Sequence, residues 1–407
     1  TMRKCKSRAL QAAVAAALMM NGGSAVIADT VVTHTGPLNW ETNEGENKLQ
    51  VGGRIMADAA FYDEDYVDLD GESGTEFSRA RLFVAGTMFH DWDWKAQYDF
   101  AGNESEIKDA YIRYTGFDFG KITVGQFKQP FGLEELTSSK YITFMERAMA
   151  TNAFSTSRRI GLGVNGAGDS WTWAASVYGR EEGDDTDGDE GYGVGARLTW
   201  APWHEKTRVL HVGAAAAWED PNDNGLRFRA RPESHITSTR LVDTGSFSNP
   251  DTFTKYGLEA ATVLGPFSLQ GEYMTVNAEE DLPGSKDADF TGAYVYGSWF
   301  ITGESRNYKK GKFGRVKPKS VVGKGGYGAW ELALRYSTID LEDGDFEGGE
   351  EDNYTIGVNW YATPYIRFMA NYVMTDTDPV ASRLQDSDGR PKDDELSVFQ
   401  LRAQIDF

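Results

Sequence analysis

A chain of 407 residues with a formal net charge of −21, 13% aromatic residues and 45 glycines has no run of about 18 apolar residues outside its extreme N-terminus, which excludes a membrane protein built of helices. A mean hydropathy of −0.50 suits a closed β architecture with a wet interior and wet loops, a class that runs long as one unit. The five histidines, His34, His90, His204, His211 and His235, are scattered outside any metal-ligand or nucleophile motif, so they are expected at interfaces or turns. No catalytic site, cofactor or nucleic-acid partner is expected.

Arg3, Lys4, Lys6 and Arg8 precede the apolar stretch Ala9 to Met20, and Val26-Ile27-Ala28 is a small-residue cleavage site. Residues 1–28 therefore read as a signal peptide, and residues 29–407 as one exported domain. The single cysteine, Cys5, falls in the leader, so the mature domain is expected to hold no disulfide.

From Lys48 onward about sixteen segments alternate between apolar and polar residues, the period of a strand. The first, Lys48 to Tyr62, places Ile55, Ala57, Ala59 and Phe61 on one face and Arg54, Met56 and Asp58 on the other. The second, Phe77 to His90, opposes Ala80, Leu82, Val84 and Met88 to Arg79, Arg81 and Phe83. The next two oppose Trp92, Trp94, Ala96, Tyr98 and Phe100 to Asp93, Lys95, Gln97 and Asp99, then Ala110, Ile112 and Tyr114 to Asp109, Tyr111 and Arg113. Charge lies on one face each time, as lipid demands: a Lys or Arg on the lipid face at mid-bilayer costs about 2–4 kcal/mol. The predicted fold is an all-β, 16-stranded antiparallel transmembrane β-barrel in a Gram-negative-type outer membrane.

A fifth strand, Gly120 to Gln129, runs into Pro130, which ends ladder pairing. The stretch Phe131 to Thr156 is too long for a turn, and its LEELTSSKYITFMERAMA portion predicts a short helix capped by Thr137 or Ser138. Four strands follow, over Arg158 to Val164, Trp171 to Tyr178, Tyr192 to Trp200 and Arg208 to Trp218. An irregular segment, Glu219 to Phe253, contains LRFRARPESHITSTR. Three more strands lie near 255–264, 267–276 and 290–301.

Thr302 to Gly326 is a basic connection holding Lys309, Lys310, Lys312 and Arg315, among others. The last strands centre on Trp330 to Tyr336, Tyr354 to Tyr361, Tyr365 to Met374 and Ser397 to Phe407, with EDGDFEGGEED read as an acidic loop after the first of them. The acidic loops DEDYVDLDGESGTE and EEGDDTDGDE fall at the same, outer end, where they can meet divalent cations on lipopolysaccharide. The basic connection and both termini fall at the other end. The terminal Phe407 reads as part of a signal for the outer-membrane assembly machinery, or as a lipid-interface anchor.

Two constellations carry function. Arg227, Arg229 and Arg231, separated by Phe228 and Ala230, fall on one face of an extended backbone at about 6.6 Å intervals. Arginine is always charged and its forked donors match phosphate oxygens. The three form either an anion ladder or a solvated edge paired with acids such as Glu219, Asp220 or Glu233. The second constellation is the wall: inward Arg54, Arg79, Arg81, Arg113, Arg197, Arg335, Arg367 and Arg402 oppose Asp58, Asp99, Asp109, Glu331 and Asp406, either as a balanced network that holds the barrel rigid or, for a subset, as groups that touch solute.

Four stretches resemble the phosphate-selective porin O and P family: GQFKQPFGLEELTSSKYITFMERA (Gly125 to Ala148), LRFRARPESH (Leu226 to His235), WFITGESRNY (Trp299 to Tyr308) and GAWELALRYS (Gly328 to Ser337). The resemblance implies a homotrimer of 16-stranded porins in which the loop after the fifth strand, the arginine segment and a periplasmic turn all fold into the pore. It further implies an anion constriction in which Ser138 and Ser139 supply hydroxyls, Arg147 and the ladder Arg227, Arg229 and Arg231 clamp charge, and Asp109 tunes it. The function so implied is passive diffusion of inorganic phosphate, polyphosphate or other small anions. The competing reading is a weakly selective general porin acting mainly as envelope scaffold or surface receptor.

Overall fold

The computed structural model describes residues 38–41, 46–64, 73–102, 105–179, 190–222, 225–247, 250–280, 287–344, 346–378 and 394–407. The strands in chain order are β1 (Leu38–Glu41), β2 (Lys48–Glu64), β3 (Gly74–Met88), β4 (Trp92–Asp99), β5 (Glu106–Phe117), β6 (Gly120–Lys128) and β7 (Arg158–Ala167). They continue as β8 (Trp171–Tyr178), β9 (Glu190–Glu205), β10 (Arg208–Asn222), β11 (Arg229–Ala230), β12 (Val242–Asp243), β13 (Pro250–Leu264) and β14 (Phe267–Glu280). The last are β15 (Ala288–Phe300), β16 (Asn307–Tyr308), β17 (Phe313–Gly314), β18 (Ala329–Asp343), β19 (Phe346–Tyr361), β20 (Ile366–Asp378) and β21 (Asp394–Asp406).

Apart from β1 and the short pairs β11–β12 and β16–β17, sixteen strands each pair antiparallel with their neighbours. The sheet closes where β2 meets β21, with Arg54 opposite Asp406 and Phe61 opposite Phe399. Closure leaves no main-chain edge for lipid to solvate, which is why a chain without apolar helices can cross a bilayer. At the seam, Gly53 N–H donates to the Phe407 carbonyl at 2.8 Å and Phe407 N–H to the Gly53 carbonyl at 3.1 Å. Strand β1, which alternation did not mark, pairs with Lys48–Val51 beyond that seam.

The alternation read from the chain sorts the two faces. Ile55, Phe61, Leu82, Ile112, Leu258, Leu334 and Leu401 are exposed outward, while Arg54, Asp58, Gln270, Glu331, Arg335 and Arg402 are buried inside. In β3 the phase slips: Met56 pairs with Arg79 but Ala57 with Phe77, so Ser78 is an extra residue. This β-bulge leaves Phe77 60% exposed on the outside while both Ser78 and Arg79 are buried inside. A second bulge at Lys108, between the pairs Gln97–Asp109 and Tyr98–Ile107, sits beside Asp109.

Three segments fold into the lumen. The first, between β6 and β7, turns at Gly132, whose φ of 76° suits glycine, and forms two helical turns, Leu133–Leu136 and Met149–Phe154. The expected cap at Thr137 or Ser138 is corrected: Gly132 precedes the first turn and Thr137 ends it. The stretch between the turns is irregular because wall side chains, not a helix, satisfy its main chain. Asn359 and Arg367 donate to the Thr143 carbonyl at 2.9 Å each, Arg335 to that of Glu146 at 3.0 Å, and Arg402 to that of Met145. Glu272 accepts the Leu133 and Glu134 N–H groups, each at 2.7 Å.

The supposed acidic loop over EDGDFEGGEED is also corrected. β18 reaches Asp343 and β19 starts at Phe346, so most of that stretch is ladder. At this rim the strands leave the hydrocarbon, and charge no longer argues against pairing. Most of DEDYVDLDGESGTE and nearly all of EEGDDTDGDE lie outside the described residues, as does the whole leader.

Candidate functional site

The arginine segment is held by its apolar residues. Phe228 packs on Phe154, Phe253 and Phe290 with ring centroids 5.8, 5.9 and 5.7 Å away, and Ala230 pairs with Val242 in the β11–β12 ladder. With Phe228 and Ala230 buried, strand alternation turns Arg227 and Arg229 outward to solvent. Arg227 Nε donates to Asp243 at 2.7 Å. Of the acids weighed as partners from the sequence, Glu219 pairs with Lys255, Glu233 pairs with Arg335, and Asp220 accepts the Asn222 N–H at 2.9 Å. Among the described residues the guanidinium groups of Arg229 and Arg231 have no side-chain partner, and Arg231 Nε is buried without a hydrogen bond.

These arginines line a cavity of about 430 Å³ together with Arg79, Arg147 and Arg240, so six guanidinium groups converge on it. Its acids, Glu146 and Glu233, are both spoken for. The crowding registers on Arg240: burial, then repulsion from Arg231 and Arg229, pulls it down to about 10.

Below the cavity the inward loop carries three acids, each with its own partners. Glu146 takes a two-pronged bond from Arg79, 2.9 Å on each oxygen, and one of 2.7 Å from Arg402. Glu135 lies between Lys128 at 2.7 Å and Arg147 at 3.1 Å. Burial alone would raise the Glu135 carboxyl, but Arg147 and Lys128 outweigh it and hold it at about 2. Glu134 is buried, accepting the Ala148 N–H and the Thr151 hydroxyl at 3.0 Å each. These acids dock the loop.

The wall opposite is positive. Arg54 stands directly across from Arg81 in the β2–β3 ladder, an arrangement that is destabilising unless charge is supplied from elsewhere. Asp99 binds Arg81 at 2.6 Å, and Ser139 Oγ accepts from Arg54 at 2.6 Å with Ser138 Oγ at 3.4 Å. Asp109 is bound by both Lys95 at 2.5 Å and Arg158 at 2.7 Å. The candidates named from the sequence thus form two groups: Arg79, Arg147, Arg227, Arg229 and Arg231 at the upper cavity, and Arg81, Asp109, Ser138 and Ser139 at the wall beneath it.

A lower cavity of about 670 Å³ is lined by Arg113, Lys121, Lys128, Arg197, Lys309, Lys310 and Lys312, with Asp118 as its acid. The three last lysines ride on the β16–β17 hairpin, which the wall fixes through Tyr308. His211 Nδ1 lies 2.8 Å from the Tyr308 hydroxyl and its Nε2 3.0 Å from Glu259, itself bonded to Arg197. His211 is therefore a fully buried wall residue, correcting its expected place at an interface or turn. The sequence marks Lys309, Lys310 and Lys312 only as part of a basic connection and does not mark Arg158 or Arg240. For the lysines the signal was present, since Tyr308 and Phe313 bracket the basic run as apolar anchors. Arg158 and Arg240 carry none, because their neighbours in space are remote in the chain.

The model of the family described as phosphate-selective porin O and P matches residues 49–407. Porin O of Pseudomonas aeruginosa is 31% identical over 400 residues, covering 89% of this chain and 90% of that protein. Two solved structures share the fold. The anion-selective porin from Comamonas acidovorans aligns with a TM-score of 0.57 at 13% identity, covering 89% of this chain and all (100%) of that one. The trimer form of OmpT of Vibrio cholerae aligns at 0.55 and 12% identity, covering 89% of this chain and 99% of that one. A closed barrel, a family match along nearly its whole described length and a relative of this similarity give one conclusion: the chain belongs to the phosphate-selective porin O and P family and is an outer-membrane channel rather than an enzyme.

Proposed function

We propose that the channel passes small anions passively, inorganic phosphate or polyphosphate foremost, by handing them from the arginine-lined upper cavity to the lysine-rich lower one. The observation that carries this reading is the pair Arg229 and Arg231, whose side chains face the upper cavity without a partner among the described residues. An anion arriving there exchanges water for forked N–H donors. It then meets Arg54 and Arg81, with the hydroxyls of Ser138 and Ser139, before reaching Lys309, Lys310 and Lys312. Asp99, Asp109, Glu135 and Glu146 damp the field along this route. That damping matters, because a site must bind well enough to admit an ion and weakly enough to release it.

Under the same reading the chain matures by loss of residues 1–28 and works as a homotrimer in outer-membrane lipid. Its acidic outer rim contacts divalent cations on lipopolysaccharide. The decisive measurement is made on the folded trimer in a planar bilayer: the reversal potential in a KCl gradient, followed by titration of the chloride current with phosphate. Anion selectivity and block at millimolar phosphate are expected. A cation-selective potential, or no block, sinks the reading and leaves the general porin acting as scaffold or receptor.

A further inference from the structure

Away from the permeation route, β19 and β20 carry a patch of buried side-chain oxygens that have no hydrogen-bond partner. Glu351 stands directly opposite Thr377, and Asn353 directly opposite Thr375. Direct cross-strand partners have Cβ atoms about 4.5–5.5 Å apart, so these four residues form one square on the inner face. Asn353 Nδ2 donates to Glu351 Oε1 at 2.9 Å and ties the two rungs together. All four residues are 3% exposed or less. Glu351 Oε2, Asn353 Oδ1, Thr375 Oγ1 and Thr377 Oγ1 are each buried without a hydrogen bond.

No Lys or Arg among the described residues pairs with Glu351, and the charged groups that act on it, Glu233 and Asp352, are both acidic. A carboxyl buried beside acidic groups does not stand as an uncompensated anion: it either takes up a proton or is paired with a cation, and the three other unpartnered oxygens around Glu351 are the donors a cation would use. We propose that the four oxygens bind one hard monovalent cation of the sodium class. One carboxylate with three neutral oxygens balances a single positive charge, whereas a divalent ion would leave the buried patch with a net charge of its own.

The site has a consequence for the arginine segment. Glu233, which acts on Glu351, accepts from Ser337, from Thr355 at 3.1 Å and from Arg335, and so pins that segment to β18 and β19. A cation on Glu351 offsets the repulsion between the two carboxylates. In a channel argued to favour anions, this cation is structural and lies behind the segment rather than in the route.

Two measurements test the inference without reference to permeation. In diffraction from native crystals grown with thallium(I) replacing sodium, an anomalous peak touching Glu351, Asn353, Thr375 and Thr377 is expected. A water, or no peak, at that place overturns the proposal. Thermal unfolding of the detergent-solubilised native barrel should be several degrees higher in sodium chloride than in choline chloride of equal ionic strength. E351Q, nearly isosteric and neutral, should lose that difference. A native protein indifferent to the cation, or an E351Q variant that keeps the sodium dependence, also overturns it. If E351Q does not fold, T375V combined with T377V serves the same comparison.

Discussion

The sharpest test of the permeation reading compares Arg227→Ala with Arg229→Ala and Arg231→Ala, because the three arginines are alike in sequence and unlike in surroundings. At 4 Å, a unit anion gains about 1 kcal/mol from a guanidinium in bulk water and about 4 kcal/mol at a near-surface dielectric. Arg229 faces a wet cavity, so the lower part of that range applies, and about 1.4 kcal/mol per unit anion charge corresponds to a tenfold change in affinity. Phosphate, carrying between one and two charges, should lose about ten- to a hundredfold in blocking affinity in Arg229→Ala, and similarly in Arg231→Ala. Arg227 already donates to Asp243 at 2.7 Å, so much of its charge is cancelled before any solute arrives. Arg227→Ala should weaken the block only about two- to threefold by the same Coulomb scale. The assay is phosphate titration of chloride current at low salt, since a Debye length of about 10 Å at 0.1 M already screens part of the effect. Equal losses in all three variants would refute the assignment of Arg227 as the neutralised member. Unchanged block in Arg229→Ala would place the segment outside the route.

Other outcomes follow from particular contacts. Glu146→Gln withdraws a charge shared by Arg79 and Arg402, so anion selectivity should rise in reversal-potential measurements. Open-channel noise should rise with it, since breaking a buried ion pair costs about 3–5 kcal/mol of loop docking. Burial pulls Lys140 down to about 8, against the pull of Asp406 and with added push from Arg54 and Arg315. Its charge is therefore present at pH 7 and lost as pH rises through about 8, so anion conductance should fall between pH 7 and 9 and become flat over that window in Lys140→Met. Phe228→Ala removes a fully packed ring, a change worth about 3–5 kcal/mol in a core. Phosphate block should weaken as in Arg229→Ala while far-UV circular dichroism of the barrel stays unchanged; a lost β signal would mean the segment is needed for folding.

The barrel itself was legible in the chain because lipid imposes a one-dimensional rule. An apolar side chain every second residue, with charge confined to the alternate positions, is demanded by the bilayer at each strand independently, so it can be read without knowing what lies across the pore. The same rule placed Arg54, Arg79, Arg81, Asp109 and Arg402 on the inner face, and the run Arg227 to Arg231 reads as an extended segment, of which Arg229–Ala230 forms β11. Where water replaces lipid the rule lapses. That is why the rim strands over Asp343 and Phe346 look like a loop in the chain, and why the capping signal at Thr137 does not locate the inward loop's two helical turns.

What only the tertiary structure decided is which charges are spent. In the chain Glu134, Glu135 and Glu146 are simply acids of one segment, and Arg227, Arg229 and Arg231 look equivalent. In the folded barrel the three acids are consumed in docking the loop, Arg227 is taken by Asp243, and Arg229 and Arg231 are left facing the cavity. Pairing of charges depends on contacts between residues as far apart as Asp58 and Arg402, brought together only when the last strand closes on the first. Alternation is local and survives in the sequence; charge compensation is a property of the closed ring.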